Sequence, residues 1–293
     1  MFTAGFVAFY SLPKLTFNKF VIKRFIGLII PFLAWAYIFW ALLGKVQLQT
    51  IVPYTISNIK SLDNTLWFLF VLFVGLVLLA LCVKLGQRTN SKVEIISIVA
   101  LAILLPRINI SILNYSQIAF YFAFVGAGYL ANKYLWFIKK YYRVFVELFF
   151  IALLALVYIR FNPYIPEAGA IINKAVYFAV NTVYSIISER YMVAFGLIFL
   201  VFIIFKEIKI KPITNFLAWI GGYTLDIYAI HGHAITAFSI GIFNLNAPDA
   251  IIVNTIFLTA LSIGFSELIL RKSKILKFLF LGQIDKTRKT KEN

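Results

Sequence analysis

The residues best equipped for chemistry fall in one stretch, Trp219–His233, WIGGYTLDIYAIHGH. It holds both histidines of the chain, His231 and His233, and an acid, Asp226, inside an otherwise apolar run. A charged group at the centre of a membrane helix costs roughly 2.5–3.5 kcal/mol, so one that is kept there has a partner or a function. On a helix Thr224, Tyr228 and His231 fall at i, i+4 and i+7 and share a face, whereas Asp226 and His233, seven apart, share the opposite face. Imidazole titrates near neutrality, which suits His231 to act as a base or a hydrogen-bond donor, with Tyr228 one turn earlier to orient it. The same two side chains equally suit a hydrogen-bonded tie between helices. Beyond Gly232, His233 suits a solvated position, and Asp226 suits either an acceptor hydroxyl or a cation on a neighbouring helix.

Other chemistries lack their residues. The chain has no glycine-rich phosphate loop, no His/Cys cluster at metal-ligand spacing, no GxSxG elbow and no paired carboxylates. Neither ATP-driven transport nor metallohydrolysis has support, and no metal is expected. Cys82 is the single cysteine, which excludes an intrachain disulfide and a CxxC site.

The elements that must position these groups are membrane helices. Of 293 residues, 62% are hydrophobic and 13% charged, and the mean hydropathy is +0.92. That composition marks an integral membrane protein whose first partner is the bilayer. The net charge of +17 would suggest nucleic acid in a soluble protein. Here it lies in short loops between apolar segments, and no basic soluble module exists to hold nucleic acid. Apolar runs at Phe25–Leu43, Leu66–Val83, Val93–Leu105, Tyr115–Leu130, Val144–Ile159, Tyr191–Phe205, Ile213–Ala237 and Ile251–Leu270 read as spans, and Met1–Tyr10 as half of one. The expectation is an all-α, polytopic transmembrane bundle of about nine spans over residues 1–282, followed by a basic tail, 283–293.

Charge orients the bundle. Alternate loops and the C-terminal tail carry 22 of the 28 lysines and arginines, which assigns Lys14–Arg24, Lys84–Lys92, Lys133–Arg143, Lys206–Lys211 and the C-terminus to the cytoplasm. The same rule makes the apolar stretch Ile171–Ile187 an amphipathic or re-entrant segment on the outer side. It also leaves Met1 outside on a segment too short to span, so the chain reads as one whose first helix is missing. With the motif helix starting at Ile213, His231 lies roughly 27 Å along it, near the outer face. Glu267 and Glu147 are expected to pair with nearby bases, Glu147 with Arg143.

Several stretches, in order along nearly the whole chain, carry a resemblance. They are TAGFVAFYS (Thr3–Ser11), NKFVIKRFIGLIIPFLAW (Asn18–Trp35), TLWFLFVLF (Thr65–Phe73), YFAFVGAGYLANKY (Tyr121–Tyr134), GGYTLDIYAIH (Gly221–His231) and ILKFLFLG (Ile275–Gly282). Together they resemble the acyltransferase 3 family of integral-membrane O-acyltransferases. Two departures accompany the resemblance: Gly27 stands where a second arginine is usual, and the first helix, with its Arg and His, is not in the chain. The resemblance implies ten spans in a multi-pass plasma-membrane protein, an acyl-CoA donor (acetyl-CoA above all) and a hydroxyl acceptor on a glycan, polysaccharide or lipid-linked sugar. On that basis His231 and Tyr228 are the candidate catalytic residues. Arg24 and Lys23, at the cytoplasmic mouth of a helix, are candidates for the phosphates of the donor, beside the plainer role of setting topology. Trp67, His233 and Asp226 are candidates for the acceptor, Trp67 by stacking on a sugar ring or, more plainly, as an interfacial belt residue. Two other classes stay open: a flippase or transporter for a lipid-linked sugar, and a catalytically inactive member that only binds. The lysine, isoleucine and phenylalanine usage fits a prokaryote.

Overall fold

The computed structural model describes residues 1–42, 66–108, 110, 115–144, 147, 191, 194–198, 201, 210–230 and 248–284. Among them every regular element is helical, as the composition requires. A chain in hydrocarbon must satisfy its own backbone, and a helix does so within one segment. Two of these helices, Phe17–Ile38 and Trp67–Arg88, have the length and apolarity to cross a membrane. The expected connectors 44–64 and 160–190, with Ile171–Ile187 inside the second, lie outside the described residues or nearly so.

The chain divides into two compact units, one of Met1–Lys133 with Ala218–Asn293 and the other of Tyr134–Leu217. In the first, α1 (Phe2–Ser11) is followed by α2 (Phe17–Arg24), which runs through a π turn at Phe25–Ile29 into α3 (Ile30–Leu42). The long α4 (Trp67–Arg88) comes next, then α5 (Ser91–Leu104) and α6 (Tyr115–Lys133). The loop expected over Lys84–Lys92 shrinks to Thr89 and Asn90, because Asn90 caps α5 by accepting from the Val93 N–H at 2.9 Å.

Helix α4 is the spine of this unit. Its C-terminal half, Leu72, Leu76, Leu79, Ala80 and Val83, is buried with Ala8, Phe20, Ile98, Phe122, Val125 and Tyr129. At its N-terminal end Leu66, just before the helix, and Leu69 and Val71 within it are buried with Phe32, Trp35, Ile118 and Ala229. Against this spine α1 lies on α6 with backbones touching. A side chain at Gly5 would strike the Val125 carbonyl, and one at Gly128 the Phe2 carbonyl. Small residues at a crossing are how membrane helices gain contact where no hydrophobic drive exists between them. Asn132 Nδ2 fastens the crossing by donating to the Phe6 carbonyl at 2.7 Å. Apolar side chains such as Val7, Leu81, Leu85, Ile96 and Ile103 face outward, as they do where the surroundings are lipid.

The basic stretches converge. Lys84 Nζ lies over the Phe17 ring at 5.1 Å. Lys133 Nζ reaches Glu94 Oε1 at 2.8 Å and donates to Ser91 Oγ at 2.9 Å. Phe17 of the first loop, Lys84 and Ser91 of the third and Lys133, the first residue of the fifth, therefore lie at one end of the unit.

In the second unit Trp136, Phe137 and Tyr141 form an aromatic strip. Arg143 Nε donates to the Tyr142 hydroxyl at 3.4 Å. That hydroxyl, by hydrogen bond and charge, pushes the Arg143 pKa above its ordinary value, and Glu147 adds a smaller push in the same direction.

Candidate functional site

The segment expected to be one motif helix, Ile213–Ala237, is interrupted. The helix α7 (Lys211–Gly221) ends at the glycine pair Gly221-Gly222. Two glycines in a row have the lowest helix propensity short of proline. The Gly222 N–H closes on Ala218 O at 3.2 Å and Trp219 O at 3.0 Å, and the Tyr223 N–H on Ile220 O at 2.8 Å. Helix resumes over 224–230, where Thr224 Oγ1 donates back to the Gly221 carbonyl at 2.8 Å. The break interrupts the helix along which the depth of the motif was counted from Ile213. Tyr228 stands four residues, about 6 Å, from the start of 224–230.

The next elements are α8 (Pro248–Phe265), a π turn at Ser266–Leu270 and α9 (Lys274–Leu281). In the π turn the Arg271 N–H bonds the Ser266 carbonyl at 2.9 Å, which sets Ser266 and Arg271 on one side. Asp226, buried, meets both: Ser266 Oγ donates to Asp226 Oδ2 at 2.5 Å, and Arg271 Nη2 does so at 2.9 Å. Arg271 Nε also donates to Ser266 Oγ at 3.2 Å, and Nη2 to the Gly222 carbonyl at 3.2 Å. The guanidinium lies over the Tyr223 ring at 4.2 Å from its centroid. The Tyr223 hydroxyl donates to Glu267 Oε1 at 2.6 Å, and Glu267 stands 3.6 Å from Arg271 Nε. Of the two roles Asp226 suited by sequence, its Oδ2 is engaged in the ionic one. Glu267 has the base expected for it.

The other face of 224–230 carries Tyr228, which meets Phe68 of α4 edge to face, with ring centroids 4.7 Å apart. One residue before Phe68, Trp67 is half-buried and tilts against Tyr121 of α6 at 5.5 Å. Trp67, Phe68, Tyr121 and Tyr228 belong to one apolar cluster, an aromatic wall with two hydroxyls. Tyr121 was not singled out by sequence. Its signal was only its place in an aromatic-rich helix.

Arg24, the residue before the first π turn, donates from Nη2 to Ser11 Oγ at 3.2 Å and lies 5.1 Å from the Phe20 ring. Its Nε is buried with no hydrogen-bond partner among the described residues. A buried, orphaned guanidinium N–H suits an anionic ligand. Lys23 beside it is exposed. Phe25, next in the chain, meets Phe73 at 6.0 Å, and Trp67 lies six residues, about 9 Å, farther along α4. His231 and His233 lie outside the described residues. No group of three or more His, Cys, Asp or Glu that could hold a metal occurs among those described.

The segments thus brought together, the basic start of α2, the LWFL end of α4 and the segment beginning at Gly221, are the ones on which the resemblance rested. Compared with models of protein families, residues 1–271 match that of Acyl_transf_3, described as an acyltransferase domain. The chain belongs to the acyltransferase 3 family. It is, at the level of its family, a membrane acyltransferase. Neither the curated proteins nor the solved structures searched gave a match. The match leaves Arg271 as its last residue, so the whole Asp226 network lies within the acyltransferase domain, and α9 follows it.

Proposed function

We propose that this acyltransferase moves an acyl group, in the first instance acetyl, from acyl-CoA to a hydroxyl of a cell-surface glycan, polysaccharide or lipid-linked sugar at the plasma membrane. The observation that carries the reading is the meeting of two segments some 160 residues apart in sequence: Phe68 and Trp67 of α4 stand against Tyr228 and Tyr121 in one aromatic wall. Aromatic faces with hydroxyls between them suit a sugar ring, which offers C–H faces and an equatorial fringe of hydroxyls. His231 is the next residue in sequence after the described helical residues 224–230, which carry Tyr228.

In this reading the donor approaches from the basic end. Arg24, with its orphaned Nε, and the exposed Lys23 meet its phosphates. About 9 Å along α4 separates the level of Phe25 and Phe73 from Trp67, a part of the length of an extended pantetheine arm. The acceptor hydroxyl attacks the thioester carbonyl carbon while His231 takes its proton. The tetrahedral oxyanion collapses with loss of the CoA thiolate, and the imidazolium returns the proton to that sulfur. Tyr228 orients His231 or donates to the oxyanion. The transfer leaves an ester and free CoA, and consumes no other reactant.

The test is transfer of label from acetyl-CoA to glycan in membranes containing the protein, against His231→Ala. Loss of a general base lowers the rate by about 10²–10⁴-fold. Equal transfer by parent and His231→Ala removes His231 from the mechanism. No transfer by the parent with any glycan or lipid-linked acceptor rejects the reading as a whole.

A further inference from the structure

Among the described residues of the first unit two π turns interrupt the helices, and each adjoins an arginine: Arg24 precedes Phe25–Ile29, and Arg271 follows Ser266–Leu270. The chain between Arg271 and Gly282 runs from one turn to the other. At its start Arg271 grips Asp226, the Gly222 carbonyl and the face of Tyr223, which fixes the first turn of helix 224–230 in both height and rotation. At its end Gly282, with φ +61, lays its backbone on Ile26 and Gly27 inside the first π turn, closer than any side chain would allow. Between them, Trp35 Nε1 of α3 donates to the Phe280 carbonyl at 3.1 Å, and the two rings meet at 5.0 Å. Leu270, Phe280 and Leu281 are buried in the same cluster as Ala229 and Leu69.

We infer that residues 266–282 are a brace that holds the Tyr228 helix at a set distance from the Arg24 end of α2, with Arg271 as the positioning residue for the acyl-transfer site. The inference rests on the proposed function for what is being positioned, although the brace itself is a claim about geometry. Mere stabilisation does not need this arrangement. A buried ion pair contributes little net stability against an apolar replacement, and its best-attested use is to fix one register among several. Here the register is that of a helix beginning just after a glycine break, where backbone constraint is weakest. Arg271 directs its donors to two parts of that start, a carboxylate, reached directly and through Ser266, and a backbone carbonyl. The brace also joins donor and acceptor ends through one covalent segment, so a disturbance at either end moves the distance between them.

The experiment compares the parent with Asp226→Asn/Arg271→Gln, which removes both charges together and leaves no unpaired buried ion, and with Trp35→Phe, which keeps a ring but removes the donor to Phe280. Two properties are read. The first is independent of activity: with Cys82→Ser as background and cysteines at Phe68 and Tyr228, the rate of cross-linking by a short bis-thiosulfonate reports the register of the Tyr228 helix on α4. The second is the split of kcat and KM for labelled acetyl-CoA. The brace predicts that both variants keep the melting profile of the parent to within a few degrees, cross-link several-fold more slowly, and lose kcat by about 10²-fold, as a displacement near 1 Å does, with the KM for acetyl-CoA held. Cross-linking at the rate of the parent in both variants overturns the brace. A variant that melts early but cross-links normally once folded overturns it too, since stability alone then accounts for the contacts. If the parent transfers no acyl group, the proposed function fails while the cross-linking still decides the brace.

Discussion

The crossing of α1 and α6 offers a sharp test of the packing, because four glycines of the same unit meet three kinds of surroundings, backbone, side chain and open space. A Cβ at Gly128 would overlap the Phe2 carbonyl oxygen and lie 3.0 Å from the Phe6 nitrogen. Both are backbone atoms, so no rotamer relieves the clash and α1 must retreat. Forcing an added methyl into a filled site costs about 1–3 kcal/mol. Retreat also breaks the Asn132–Phe6 hydrogen bond, worth about 1 kcal/mol. Gly128→Ala should therefore destabilise by about 2–4 kcal/mol, a fall in melting temperature on the order of 5–10 °C. Gly5→Ala addresses the same crossing from the other helix, against the Val125 carbonyl, and should cost a similar amount without adding fully to the first. At Gly75, interior to α4, the new methyl would meet only the Val125 side chain, at an ordinary 3.4 Å, so Gly75→Ala should be neutral or gain up to about 1 kcal/mol from helix propensity. Gly264 has open space in α8, and Gly264→Ala should gain up to about 1 kcal/mol from helix propensity. Thermal unfolding in one detergent, followed by near-ultraviolet circular dichroism, ranks the four. If Gly128→Ala melts together with Gly75→Ala, backbone contact between α1 and α6 is not what holds them.

Two further outcomes follow from named contacts. Lys133→Met leaves the buried Glu94 carboxylate without its ion pair and should cost about 3–5 kcal/mol, while Lys133→Met/Glu94→Gln should recover most of it, as the same thermal melts would read. Gly282→Ala places a methyl 2.6 Å from Gly27 Cα at a left-handed φ, which should cost about 1–3 kcal/mol and speed tryptic cleavage at Lys274 and Lys277 in unfixed membranes.

Much of the frame was legible in the residues. The alternation of basic loops rests on where lysine and arginine are cheapest to leave, a property of single segments, and the meeting of Lys84 with Phe17 and of Lys133 with Glu94 follows that pattern. Asp226 was legible as an acid in need of company. Its partners were not, because Ser266 and Arg271 stand 40 and 45 residues away and become neighbours only when two helices pack. The sole clue was that Arg271 is the first base after an apolar span. The break at Gly221-Gly222 was written in the sequence and passed over, since hydrophobic periodicity continues across it and a count of apolar residues is blind to backbone entropy. In the charge count Arg271, Lys272, Lys274 and Lys277 went with the C-terminal tail, yet Lys274–Leu281 is helical and buries Phe280 and Leu281. Five apolar residues in its last six carried that information. The π turns left no trace in composition, because a single extra residue in a turn changes where side chains point and not what they are.

That last property has an evolutionary edge. A π turn is an α-helix that has absorbed one inserted residue. Removing any one residue from Ser266–Leu270 would restore ordinary helix without straining the backbone, and hydropathy would barely change. It would also swing everything C-terminal to it by about 100° around the helix axis, turning Arg271 away from Asp226. Length within this five-residue window is therefore under tighter constraint than identity. Related chains should exchange Leu268 or Ile269, both exposed, for other apolar residues freely, but should keep the spacing from Ser266 to Arg271 at five.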